Sequence, residues 1–302
     1  MSEGLPPVAE ARIAGLRSSG TWGSALTVDE FAAIRSVGFE PVGQVFGAAV
    51  YSAGSASGYT CPGASGPSGD GLPPRPAVQV SGRGGPGSFG PLVQTMDLAR
   101  QTAVGRMVSE CVELGGHGVV GVRLTRGSFP LGGPQVTVIG TAVRARGATR
   151  GQPVPFTTEV SGHDFAKLVM TGWVPAGLVL GISIGSRHDD RTTTRQARWG
   201  SGNAEVTGWT ELVSQSRHDA RRQLEGDVKR LGADGVVIAT MDMRVRQRDC
   251  PETPGRRDHI TEATLIGTAI ARFARPGQRQ DPPALAIMSL DPQRRQAARI
   301  RI

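Results

Sequence analysis

Apolar positions along the chain follow two rhythms, one helical and one strand-like, and the same succession of rhythms occurs twice. From Asp29 to Val37 the run DEFAAIRSV has helical spacing, behind Thr27 and Glu30, which stand at the separation of a capping box. Gly38 ends that pattern, and Phe39 to Tyr51, FEPVGQVFGAAVY, reads as a strand. A long helix is predicted from Pro91 to Leu114, because Met96, Ala99, Ala103, Met107, Cys111 and Leu114 recur at steps of three and four and form one apolar stripe. Gly115 is placed to cap it. Two strands follow, Val119 to Arg126 and Val136 to Arg144. The second half repeats this order. Ser161 and Asp164 repeat the cap, and a second long helix runs from Trp209 to Leu231 with Leu212, Ala220, Leu224, Val228 and Leu231 on its stripe and Ser216 in the one gap. Gly232 caps it, and strands are predicted at Val236–Arg246 and Ala263–Phe273.

The halves also match in letters. LGGHGVVGV, Leu114–Val122, returns as LGADGVVIA, Leu231–Ala239, and VIGTAV, Val138–Val143, returns as LIGTAI, Leu265–Ile270. HDFAKLVMTGWVPAGLVLG, His163–Gly181, lies over DEFAAIRSVGFEPVGQVFG, Asp29–Gly47, without gaps and shares Phe, Ala, Gly, Pro, Gly, Val and Gly. Shared glycines and a shared proline fix backbone shape, which is what a duplicated fold must keep. The halves diverge in between. Ser52–Gly90 is a long Gly/Ser/Pro-rich loop with a short strand at Ala77–Val80, whereas the corresponding stretch Ser186–Gly208 is seventeen residues shorter by alignment offset. The fold class expected is α+β: two tandem β-α-β-β units, each with an extra N-terminal helix and with its long helix laid on a small antiparallel sheet. The organisation is a flexible leader at 1–23, a first unit at 24–147 containing the 52–90 loop, a second unit at 148–275 and a flexible basic tail at 276–302. A three-stranded sheet is marginal alone, so units or chains are expected to pair.

Composition narrows the function classes. Of 302 residues, 43 are Gly and 21 are Pro, so the ordered part is smaller than the whole. No apolar run reaches the length that crosses a bilayer; the longest, Trp173–Ile184, is interrupted by Pro and Gly. The N-terminal residues lack a basic start followed by an apolar core, and Cys61, Cys111 and Cys250 make no disulfide framework; both point to a cytoplasmic protein. The net charge of +8 invites a nucleic-acid reading, but from Arg272 onward there are seven Arg and two Asp, so the surplus is concentrated in the tail and does not point to nucleic acid.

The order PVG-x-V-x-G strand, long helix, LGADGVV and IGTAV resembles the YbjQ-like family, a bacterial family with a heavy-metal-binding label. The resemblance covers roughly Phe39–Arg146 and Trp173–Phe273. It implies a small dodecin-like β-α-β-β unit, assembly into a pentameric ring, and no enzyme activity. With two units per chain, it implies a homo-oligomer of five chains in two stacked pentameric layers, one half in each.

Candidate chemistry is sparse. Cys111 aligns with Val228, so the position is an apolar slot in which Cys serves as a small hydrophobe. His117 aligns with Asp234, and both residue types suit a turn before a strand. The second half holds the polar constellation: His163–Asp164, His188–Asp189–Asp190, His218–Asp219 and Asp258–His259, with Cys250 after Asp249. Imidazole and carboxylate suit a divalent transition metal, and the best candidate set is His188, Asp189 and Asp190 with His218 from the long helix. None of these has the i, i+4 or C-x-x-C spacing of a metal motif. Two overlapping GxGxxG matches, Gly82-Gly84-Gly87 and Gly85-Gly87-Gly90, lie in an insertion without a βαβ unit and reflect glycine density. No nucleophile–base arrangement stands out. In the tail, the apolar run ALAIMSL, Ala284–Leu290, resembles short peptides that load cargo into bacterial protein shells, and makes residues 276–302 a candidate contact for a protein partner. The expectation is a non-enzymatic, ring-forming protein with a structural or partner-binding role; the alternative is a metal-binding protein using the His and Asp residues of the second half.

Overall fold

In the computed structural model, which describes residues 5–21, 23–52, 78–83, 89–128, 133–147, 154–198, 202–250 and 254–273, the predicted succession of elements appears in both halves. The first half comprises helix α1 (Pro7–Ser19), helix α2 (Val28–Ser36), strand β1 (Phe39–Val50), strand β2 (Val78–Ser81), helix α3 (Gly90–Glu113), strand β3 (Gly118–Ser128) and strand β4 (Pro134–Ala145). The second comprises strand β5 (Phe156–Thr157), helix α4 (Gly162–Met170), strand β6 (Trp173–His188), helix α5 (Arg191–Gln196), helix α6 (Thr207–Arg230), strand β7 (Gly235–Asp249) and strand β8 (Arg257–Arg272). The capping box closes as read: Glu30 N donates to Thr27 Oγ1 at 3.3 Å and Thr27 N donates to Glu30 Oε2 at 2.8 Å. Ser161 caps α4 in the same way through Asp164 N, 3.1 Å. Gly115 and Gly232 take left-handed φ values of 70° and 63° just past the two long helices.

The strands form two four-stranded sheets, β1-β4-β3-β5 and β2-β6-β8-β7. In each, three long strands are antiparallel neighbours in equivalent order. The fourth strand of each sheet comes from the other half. β5, at the start of the second half, adds in parallel to β3, and β2, from the long loop of the first half, adds antiparallel to β6. The small sheets expected from the pattern are therefore widened by exchange.

Each long helix lies on its own sheet. Ala99, Ala103, Met107 and Cys111 of α3 pack on Val45, Ala49, Val119, Val138 and Ala142, and Ala220 and Leu224 of α6 pack on Val179, Ala263, Leu265 and Ala269. The strand–helix crossing is tightest at Gly47 and Gly181. A Cβ there would lie 1.9 Å from the carbonyl oxygen of Ala103 or Ala220, so only glycine admits the helix at that depth.

Three stretches differ from the sequence reading. Part of the leader, read as flexible, is the helix α1: Pro7 starts it, Gly20 stops it at φ 65°, Ile13 is buried, and Arg12 pairs with Glu110 of α3. That docking depends on partners about a hundred residues away, which no local pattern carries. β6 runs on to His188, into the region aligned as a loop, because its register with β8 continues to His188↔Asp258. The short strand predicted at Ala77–Val80 is Val78–Ser81. Most of the 52–90 loop, both complete GxGxxG matches and the 276–302 tail lie outside the described residues. Arg83, just after β2, pairs with Asp97 of α3 at 3.3 Å and with Asp227 of α6 at 2.9 Å, linking the two long helices. All of these contacts lie within one unit, Met1–Arg272; Phe273–Ile302 forms a second, of which only Phe273 is described.

Candidate metal centre

The register of β6 against β8 decides where the polar residues of the second half go. His188 stands opposite Asp258 and Arg187 opposite His259, and successive residues on a strand face opposite sides of the sheet. His188 and Asp258 therefore share one face, and His188 Nδ1 lies 2.8 Å from Asp258 Oδ1. Cys250 follows the end of β7, and its N–H donates to Arg256 O at 2.9 Å, which turns the chain back toward β8. One ligand atom from each of His188, Cys250 and Asp258 lies within 4.8 Å of the others. Cys250 and Asp258 are buried and His188 partly so.

On the other face, Asp189 accepts from Trp209 Nε1 at 3.1 Å and contacts His259 Nδ1 at 3.1 Å, while the Trp209 and His259 rings stand 4.6 Å apart. The Arg187 guanidinium bridges Glu211 at 2.8 Å and Asp190 at 3.0 Å. Asp190 caps α5 through Thr193 N, 2.7 Å; that bond, with help from Arg187, outweighs desolvation and holds its carboxyl below the ordinary range. His218 is exposed on α6. Of the four residues expected to act together, His188 joins the donor cluster, Asp189 and Asp190 are engaged elsewhere, and His218 stands apart on the exposed face of α6. Cys250 and Asp258 complete the cluster. Both carried the sequence signal of an adjacent acidic or histidine residue, but the 70-residue separation of His188 from Asp258 hides the contact.

The donor set fits a metal. A neutral imidazole, a thiolate and a carboxylate are the ligands that zinc and neighbouring cations take, at roughly 2.0–2.3 Å each, and such lengths suit donor atoms a few ångströms apart. A cation there would take over the His188–Asp258 contact.

Two other candidates have structural roles. His117 N donates to Val143 O at 2.8 Å and its Nδ1 accepts from Ala145 N at 3.2 Å. Asp234 does the same with Ile270 O at 3.0 Å and Arg272 N at 2.8 Å. Imidazole and carboxylate thus serve one function, tying down the end of the last strand. Cys111 is fully buried, its thiol donates to Gly118 O at 3.4 Å, and burial pushes that thiol up to about 12.

Residues 84–146 match the family model described as "Putative heavy-metal-binding" (YbjQ_1), which places this region of α+β structure in the YbjQ-like class. The matched span does not include His188, Cys250 or Asp258. The chain belongs to the family of the Encapsulin nanocompartment protein Rv1762c of Mycobacterium tuberculosis, to which it is 31% identical over 247 residues, 78% of this chain and 82% of that protein. It is also 37% identical to a UPF0145 protein of Clostridium perfringens over 57 residues, 19% of this chain and 54% of that protein. No solved structure matches the chain.

Proposed function

We propose that the protein is a non-enzymatic, self-assembling component of a bacterial protein nanocompartment in the cytoplasm, each chain contributing two YbjQ-like units. The observation that carries this reading is apolar surface on strands at opposite halves of the chain. Phe46 and Val50 are exposed on β1, and Val237, Ile238, Met241 and Val245 are exposed on β7, an edge strand. Such surface on a folded chain marks a contact with another molecule. The relationship to an encapsulin nanocompartment protein supports the same reading. Five chains, the number implied by the family resemblance, would supply ten units, either as two stacked layers with one half in each or as a single run in which halves alternate. Residues 276–302, with the Ala284–Leu290 run, are proposed as the segment that contacts a protein partner. Native mass spectrometry at micromolar concentration is expected to give a multi-chain mass; a single-chain mass would defeat the proposal.

A second reading is favoured by the His188–Cys250–Asp258 cluster: the protein binds a divalent transition metal there. Elemental analysis of purified protein should find the metal in the parent and lose it in His188→Ala and Cys250→Ala. Equal content in all three, or none in the parent after incubation with zinc, would rule the site out.

A further inference from the structure

We propose that the chain joins head to tail with further copies of itself: α4 and the β7 edge of the second half receive residues 23–26, α2 and β1 of the next chain's first half. The inference rests on the self-assembly reading and assigns it a surface.

The template is the junction between the halves of one chain. Residues 156–160 run along the edge of β3. Phe156 N donates to His117 O at 3.2 Å, Thr158 N to Val119 O at 2.9 Å, Val122 N to Thr158 O at 2.9 Å and Gly121 N to Val160 O at 3.1 Å. The same segment is held to its own half by Thr268, whose Oγ1 meets Thr158 Oγ1 at 3.0 Å and Glu159 N at 3.3 Å. α4 lies against α2: Gly162 N donates to Glu30 Oε1 at 3.2 Å, and Phe165 meets Phe39 edge to face at 5.1 Å. The first turns of α3 cover the outer face of β6, Val93 packing with Leu180, Ile182 and Ile184.

Each part has a counterpart whose mate is missing. Positions correspond at offsets of 134 through β1 and β6, 117 through the long helix and the strand after it, and 127 in the last strand. Ser24 Oγ and Ala25 N both meet Thr141 Oγ1 at 3.2 Å, as Thr158 and Glu159 meet Thr268. The lead-in of the first half is thus held on its own sheet in the equivalent way, yet residues 23–26 extend no strand among the described residues. Val237 is 37% exposed where its counterpart Val120 is 0% exposed. On the outer face of β1, Phe46 and Val50 are 43% and 49% exposed, where Leu180 and Ile184 of β6 are 2% and 4%.

Between α4 and β7 lies a cleft of about 500 Å³ lined by Glu159, Asp164, Leu168, Val237 and Ala239. The matching surface of the first half, including Ile34, Val120 and Val122, is buried in the internal junction. The Ala239 N–H, which lowers the Glu159 carboxyl against the effect of burial, is the counterpart of the Val122 N–H that donates to the added strand. The open junction also redistributes volume. Glu30 faces Gly162 in the filled one; Asp164, one methylene shorter, would face Val28, which fills the space that glycine leaves.

The first half offers only the inserting surface and the second only the receiving one. The contact is therefore heterologous, the halves alternate along the assembly, and it closes as a ring or extends. This arrangement differs from one in which each half occupies its own layer.

The test uses full-length chains. Phe46→Asp disables insertion, and Val237→Asp disables reception. Both side chains are partly exposed, so each variant should keep the parental far-UV circular dichroism; Val50→Asp and Met241→Asp replace a variant that does not fold. Native mass spectrometry should show each variant alone at the single-chain mass. Mixed, the two should form a complex of two chains and nothing larger, because one good junction remains and both outer ends are blocked. Variants that keep the parental oligomeric mass, or that stay single when mixed, overturn the proposal while leaving self-assembly intact; the faces then belong to another occupant, such as residues 276–302. A parent that is itself a single chain removes the self-assembly reading.

Discussion

Glu159 is where a single side chain has the widest consequence. Burial raises its carboxyl to about 7, against the lowering effect of the Ala239 N–H, and its Oε1 is buried without a hydrogen-bond partner among the described residues. A carboxyl raised on folding favours the native state most below its unfolded value near 4.5, and that advantage is lost as pH climbs to about 7. Glu159→Gln should therefore remove a decline in stability between those limits. At pH 8 it should be more stable than the parent by on the order of 2 kcal/mol, after discounting for partial solvent exposure. Thermal unfolding of both proteins at pH 5 and pH 8 checks this; a variant less stable than the parent at pH 8 refutes it. Nothing in the sequence marks Glu159, because its counterpart in the first half is Ala25. Cys111 and His117 were legible, since their counterparts Val228 and Asp234 reveal what each position tolerates.

Among the elements, the long helices and their strands were readable because their stripes, caps and glycines are local. Gly47 and Gly181 illustrate the physics behind the shared letters. Gly181→Ala would set a methyl 1.9 Å from the Ala220 carbonyl oxygen, and α6 would have to lift from the sheet. The expected loss is about 2–3 kcal/mol, read as a lower denaturant midpoint. Gly226→Ala, in the same helix with nothing within 4 Å, should instead gain up to about 1 kcal/mol. Equal effects of the two substitutions would contradict the packing described. The extension of β6 and the docking of α1 were not readable, because β8 and the carboxylates of α3 supply them.

For the whole molecule, the two halves are locked by exchange rather than by simple apposition. β5 completes one sheet, β2 the other, and Arg83 sits between Asp97 and Asp227. Burial by itself would raise the Asp227 carboxyl, but Arg83 and then Arg230 more than reverse that and hold it below the ordinary range. Arg83→Ala removes the cation shared by two buried carboxylates, leaving Arg100 beside Asp97 and Arg230 beside Asp227, and should cost roughly 3 kcal/mol. Arg83→Lys should recover little of this, since an ammonium cannot span both carboxylates as the guanidinium does. Chemical denaturation of the three proteins measures it; an unchanged midpoint in Arg83→Ala would show that the cluster does not hold the halves.

The sequence by itself determined the α+β class, both long helices, their caps, most strand positions and the correspondence of the halves. Each of these is written in residues a few positions apart, where period, capping chemistry and glycine placement act directly. The tertiary structure decided which strands cross between halves, which of the clustered histidines and acids meet, and which apolar faces remain open. Those outcomes depend on register between segments far apart in the chain, from Gly118 against Phe156 to Val78 against Arg187. Shifting a strand by one residue turns every side chain to the other face, so neighbours in sequence such as His188 and Asp189 serve different clusters.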